Sequence, residues 1–210
     1  MANKDLSKEK ISSTYTRLLQ INPDDNVSIV NGTGSNPANL TMNSNLTVNS
    51  YTANSTGGGI DAVSPTINVQ SINGEVVTTI YIDIGAGSIV SSSDADDVIG
   101  EEGVAAAYLT RIATSKNGLI YKGEIICLEV PTTGDPDINL AADSAQVAED
   151  VGGMDHVLAN CGVHTLALKT DLTIPAGGIQ NDYIYLTHGG TTAGTYDAGK
   201  FLIRLYGYVV

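Results

Sequence analysis

The amino-acid sequence predicts an all-β chain: an antiparallel β-sandwich of jelly-roll-like form, preceded by an extended N-terminal arm and a short β stem. Three features predict it. β-branched and apolar runs recur between turn signals, Gly (23 of 210 residues) accompanies abundant Asn, Ser and Thr, and residues 200–210 alternate two sets of side chains. With no Trp and one Phe, the core must be filled by Val, Ile, Leu and ten Tyr. A core this thin is often completed by a neighbouring subunit, so a homo-oligomer is expected.

Residues 1–59 read as an attachment arm and stem, and residues 60–210 as the sandwich. In the arm, the polar lead MANKDLSKEK precedes Tyr15, Arg17, Leu18, Leu19 and Ile21, an apolar group with no core near it in sequence. These are the candidate anchoring residues; a terminal strand docked on its own domain is the competing reading. From Asn31 to Ile60 Asn, Ser, Thr and Gly dominate. Here Leu40-Thr41-Met42-Asn43-Ser44 is echoed six residues on by Leu46-Thr47-Val48-Asn49-Ser50. Alternation puts Leu40 and Met42, then Leu46 and Val48, on one side of short strands that bury too little for one chain alone. Three chains wound into a stem, or two turns of a solenoid, would bury them; a flexible linker is the alternative.

Gly57-Gly58-Gly59 is taken as the domain boundary. Strands are predicted over 66–71 and 76–84, joined by the Asn73-Gly74 hairpin dipeptide. Gly85-Ala86-Gly87 reads as a bend and residues 91–97 as an exposed loop. Over 118–130, Leu119, Tyr121, Ile125 and Cys127 should share one face. The other face should pass from wet at Lys122 and Glu124 to buried at Ile126, Leu128 and Val130, with Pro131 ending the strand. Further strands are expected at 165–169, 182–187 and 200–210. The last has Phe201, Ile203, Leu205 and Val209 opposed to Leu202, Arg204, Tyr206 and Tyr208.

The formal charge of −13 argues against a nucleic-acid partner, since phosphate binding needs basic residues to displace counterions. Four of the ten basic residues, Lys4, Lys8, Lys10 and Arg17, precede a stretch without any until Arg111, so a mildly basic end leads into an acidic body. The start has no apolar segment of signal-peptide type, and no run approaches 18 apolar residues, so neither secretion nor membrane insertion is expected. Cys127 sits in an apolar strand pattern, which favours a buried free thiol over a disulfide with Cys161.

The sequence offers no assembled chemistry. His156, His164 and His188 lack ligand spacing, and no Gly-x-Ser-x-Gly elbow surrounds any Ser. Asp135-Pro136-Asp137-Ile138-Asn139 opens like a calcium loop, but Leu140 stands where Gly is required and Gln146 where Glu is. No catalytic residue, metal or cofactor is therefore expected. Tyr183, Tyr185, Tyr196, Tyr206 and Tyr208 crowd the last 28 residues on alternating strand positions. Of these, Tyr183, Tyr185, Tyr206 and Tyr208 are candidates for a sugar-binding or subunit face, against the alternative of half-buried sandwich tyrosines.

Several phrases carry a resemblance: GVAAAYLTRI at 103–112, NGLIYKGE at 117–124, CLEVPTTG at 127–134 and GKFLIRLYG at 199–207. They resemble virion structural proteins of marine tailed bacteriophages, of cyanophage and pelagiphage type. STYTRLLQ at 13–20 and NGTGS at 31–35 are similar to the opening of phage fibre and head-decoration chains. The resemblance implies a place on the virion surface after synthesis in the host cytoplasm. It implies a capsid decoration or fibre subunit, with major capsid or tail proteins as partners; the expectation of a trimer comes from the stem-like repeat. A receptor-binding fibre module for host surface glycans is the alternative.

Overall fold

The computed structural model describes residues 20–21, 29–30 and 56–209. The chain divides into two units, residues 1–48 and 49–210. In the first, strand β1 (Gln20–Ile21) pairs antiparallel with β2 (Ile29–Val30), placing Ile21 opposite Ile29. Tyr15, Arg17, Leu18, Leu19 and the repeat at 40–50 lie outside the described residues.

The second unit is all-β. Asn73 and Gly74 both adopt positive φ (53° and 87°), the geometry whose twist matches that of flanking strands. They join β3 (Thr66–Ile72) to β4 (Glu75–Asp83) as the sequence predicts. After a short 3-10 turn at Ile84–Ala86 come β5 (Ile89–Ser91), β6 (Gly100–Glu101) and β7 (Thr110–Arg111). A single helical turn, α1 (Thr114–Asn117), leads to the long strand β8 (Leu119–Thr132). Then follow β9 (Ile138–Asp143), β10 (His156–Ala159), β11 (Lys169–Asp171), β12 (Tyr183–His188), β13 (Gly194–Thr195) and β14 (Ala198–Tyr208).

Two antiparallel sheets make the sandwich. One has strand order β11-β8-β14-β4-β3 and the other β10-β9-β12-β7; a small sheet β13-β5-β6 stands beside them. Their facing side chains form one core. Ile80 and Ile82 of β4, Ile125 and Cys127 of β8, and Phe201, Ile203 and Leu205 of β14 meet Ile138, Leu140 and Ala142 of β9 and Ile184 and Leu186 of β12. The alternation along β14 therefore holds: its buried residues are the predicted set up to Leu205, and Val209 is exposed beyond the strand end.

The register of β8 against β14 breaks three times, at Tyr121, at Leu128 and between Glu129 and Thr132. Opposite β14, Tyr206 pairs with Lys122 but Gly207 with Ile120, so Tyr121 is the extra residue. The faces consequently exchange: Ile120 points inward, and Tyr121, expected beside Ile125, is 50 % exposed. Phe201 pairs with Cys127 but Lys200 with Glu129, which makes Leu128 extra and leaves it 41 % exposed, not buried. Pro131 does not end the strand. The irregular register between Glu129 and Thr132 accommodates a residue without an N–H, and the strand runs on to Thr132.

Two other expectations change. Residues 165–168 form a turn, with Ala167 at φ 64°; Ala167 and Leu168 bond the backbone of Cys127, and the regular ladder with β8 runs over Lys169–Asp171. The loop at 91–97 is exposed in its middle but buried at Ser91 and Asp97. Residues 56–59 belong to the second unit: the Gly57 N–H donates to the Tyr108 carbonyl, and a Cβ at Gly57 would fall 1.7 Å from the Ala106 oxygen.

Candidate functional site

Two places gather the side chains on which chemistry or binding could rest. The first is a buried polar cluster where β9 begins and β12 ends. His188 closes β12, and its Nδ1 donates to the Gly190 carbonyl at 3.1 Å. That bond leaves Nε2 as the acceptor for the Ser92 backbone N–H at 3.3 Å, with Ser92 Oγ 3.2 Å away. Ser92 Oγ in turn donates to Asp97 Oδ2 at 2.9 Å. The sequence reading missed this trio, because Ser92 and His188 lie 96 residues apart and no local motif marks either. Its wiring differs from a nucleophilic triad, in which the carboxylate holds Nδ1 and the serine proton faces Nε2. Here the carboxylate takes the serine proton and a backbone carbonyl takes Nδ1. The trio ties the 91–97 loop to the end of β12.

Asp135, from the calcium-like segment, is similarly consumed. Its carboxylate accepts the Asp137 N–H and the Thr192 N–H, each at 2.9 Å, and its own N–H donates to Ser91 Oγ at 3.1 Å. Asn139 Oδ1 accepts the Cys161 N–H at 2.8 Å. Among the described residues no group of three His, Cys, Asp or Glu is disposed to hold a metal. Both cysteines are free thiols, and burial pushes each up from its ordinary pKa.

His164 lies deeper, edge-on to Phe201 at 5.0 Å, and its Nε2 donates to the Ile138 carbonyl at 2.7 Å. Burial pulls its pKa down, so the ring is held neutral. Burial also raises Asp137, with Asp135 adding to the effect. His164 Nδ1 and Asp137 Oδ1 are buried without hydrogen-bond partners.

The second place is the outer face of the five-stranded sheet. The polar and aromatic outward positions of β14, Lys200, Arg204, Tyr206 and Tyr208, stand with Leu202 between Asp83 and Glu75 of β4 and Lys122, Glu124 and Glu129 of β8. Arg204 donates to Glu124 at 3.0 Å and Lys200 to Glu129 at 2.5 Å; Lys169 of β11 bonds Glu124 and Asp171. Burial resists ionisation of Glu124, but its bonds to Arg204 and Lys169 outweigh this and hold the carboxyl below its ordinary value. Lys122 Nζ lies 4.5 Å from the Tyr206 ring centre, and Tyr121 and Tyr208 pair their rings at 6.2 Å.

Charge distinguishes this face. Residues 56–209 hold nineteen of the chain's 23 acidic residues and six of its ten basic ones. Four of those six lie here with five acids, so the face is nearly neutral while the rest of the body is strongly acidic.

The four candidate tyrosines do not share a surface. Tyr206 and Tyr208 lie on this outer face, but Tyr183 and Tyr185 belong to the other sheet, packed on Tyr108 at 4.8 and 6.4 Å. Tyr185 is fully buried, its hydroxyl accepting from the Val147 N–H and donating to the Ala145 carbonyl, both at 2.9 Å. Burial pushes its pKa up to about 12. Tyr196 is likewise a core residue. The bulge at Tyr121 supplies the aromatic neighbour that sequence alternation had turned inward. Comparison of the chain with protein-family models, curated proteins and solved structures gives no match.

Proposed function

We propose that the chain is a structural protein of a tailed-phage particle surface, a decoration or fibre subunit that acts by assembly and attachment. The observation that carries the reading is the nearly neutral, tyrosine-bearing outer face on an otherwise acidic body. Identical chains of charge −13 repel one another, and a surface with balanced charge is where they meet at least electrostatic cost. Tyrosine and arginine are also the side chains that protein interfaces favour. The sequence resemblance supports the same location, with major capsid or tail proteins as further partners and the arm around Tyr15 to Ile21 as the anchor. The polar cluster at Ser92, Asp97 and His188 supports it differently: groups that could act on a substrate are spent on holding loops.

The test is a particle reconstruction paired with light scattering of the purified protein. Oligomers in solution, and density for this sandwich on the particle exterior, are expected. A monodisperse monomer absent from particles would overturn the reading.

The glycan-binding alternative draws on one observation. Tyr121 and Tyr208, 50 % and 45 % exposed, form an open ring pair of the kind on which a sugar face can stack. Replacing both by Ala should then abolish binding on a glycan array, and wild-type adsorption by the double variant would end that reading.

A further inference from the structure

Among the described residues the second unit has six sheet edges, and they are not equally protected. β11 is three residues long and carries Lys169 and Asp171; β10 is four residues long with a register break between Val157 and Ala159. β7, β13 and β6 are two residues each. Short length, charge and irregularity are the devices by which proteins prevent edge-to-edge pairing. β3 has none of them. It is seven residues of regular strand, Thr-Ile-Asn-Val-Gln-Ser-Ile, paired to β4 on one side only among the described residues. Pro65 precedes it, and no charged residue occurs between Asp61 and Glu75. A seven-residue window of high β propensity without charge or Pro is an aggregation hazard if it stays uncovered.

We propose that the β3 edge is a contact between two copies of this chain, joined antiparallel about a two-fold axis to continue the five-stranded sheet from one protomer into the next. The inference rests on the assembly reading above and names one contact within it. Three observations favour a second copy as the occupant. The edge carries no charge of its own, so two copies meeting there oppose no like charges along the strand. Full overlap of the seven residues puts Val69 on the axis, Asn68 of each copy opposite Gln70 of the other, and Ile67 opposite Ser71, so no pair brings like charges together. Ile67 and Val69, which pair toward Ile80 and Thr78 on the core side, are only half-buried, and the partner strand would finish covering them. Pairing also makes the neutral outer faces of the two protomers continuous. A two-fold contact joins copies in pairs, and any three-fold association of the stem would be an additional contact.

The test uses the full chain in sedimentation velocity from about 1 to 200 μM, a range suited to a single-strand interface. The wild type should show a concentration-dependent dimer. Asn68→Asp with Gln70→Asp opposes like charges at both cross-strand positions and should weaken the dimer at least about tenfold. Asn68→Lys with Gln70→Glu opposes unlike charges and should retain it, with the same circular dichroism in all three proteins. Val69→Cys should cross-link the dimer on oxidation, where the wild type, with its own two cysteines, should not. Failure of Val69→Cys to cross-link overturns the proposed register. An oligomer indifferent to the Asp pair overturns the edge contact and leaves the assembly reading standing. A monomer at every concentration overturns the edge contact, whether the occupant is this chain's own N-terminal residues or a foreign strand, and its absence from particles overturns both.

Discussion

The five-stranded and four-stranded sheets share one core and differ in what covers their far sides. In the first, β14 alternates strictly, with Phe201, Ile203 and Leu205 inside and Lys200, Arg204 and Tyr206 outside. In the second, β9 is buried at all six positions, because residues 98–108 and 145–154 lie over its far side with Tyr108, Tyr185, Val98 and Met154. Antiparallel sheets usually keep one wet face. This one has lost it to loops, which the Tyr185 hydroxyl latches through Val147 and Ala145. Position on the far side of a strand therefore means exposure in one sheet and burial in the other.

The sharpest break of that comparison is a matched pair of substitutions. Tyr185→Ala should cost about 3–5 kcal/mol in urea unfolding, as large core truncations do, and Tyr206→Ala about 1 kcal/mol or less. Equal losses would erase the distinction. Gly57→Ala tests the covering layer itself, since the new methyl would collide with the Ala106 carbonyl; a loss of about 1–3 kcal/mol is expected from overpacking. Tyr185→Phe keeps the ring and removes only the latch. It should cost about 1–2 kcal/mol and speed hydrogen exchange at the Val147 amide. Lys200→Ala on the open face, where the pair with Glu129 is well solvated, should fall within about 0.5 kcal/mol.

pH separates the regions again. His164 has its pKa lowered by burial, so the unfolded chain takes up the proton first. Its contribution is complete above the ordinary value of 6.5 and is lost as pH falls through and below that value. Glu124 on the open sheet has a lowered carboxyl pKa, and its contribution persists to the ordinary value of 4.5 and is lost only on further acidification. Chemical denaturation at stepped pH should show His164→Gln removing the loss that begins near 6.5 while leaving the more acidic one in place.

Much of the five-stranded sheet is legible in sequence, because Asn73-Gly74 and the alternation at 200–208 encode local geometry and a single buried face. The bulges at Tyr121 and Leu128 are not, since an extra residue in one strand is defined only by its partner. Nor is β9: Ile-Asn-Leu-Ala-Ala-Asp has little β propensity and reads as the tail of an acidic turn, and it becomes a strand because β10 and β12 hydrogen-bond it on both sides. The Ser92, Asp97 and His188 cluster was hidden by chain separation, and the split of the tyrosines by their assignment to different sheets.

The sequence by itself determined the class of fold, the register of the β3–β4 hairpin, the inward face of β14 and the acidic character of the body. Each follows from neighbours along the chain, whose periodicity and charge are written in order. Tertiary structure alone decided which residues oppose the bulges and which loops roof the second sheet. It also gathered four of the six basic residues of 56–209 on one face and left β3, among the described residues, paired on one side only. Those properties belong to pairs of distant segments, and the free energy that selects them arises only when the segments meet.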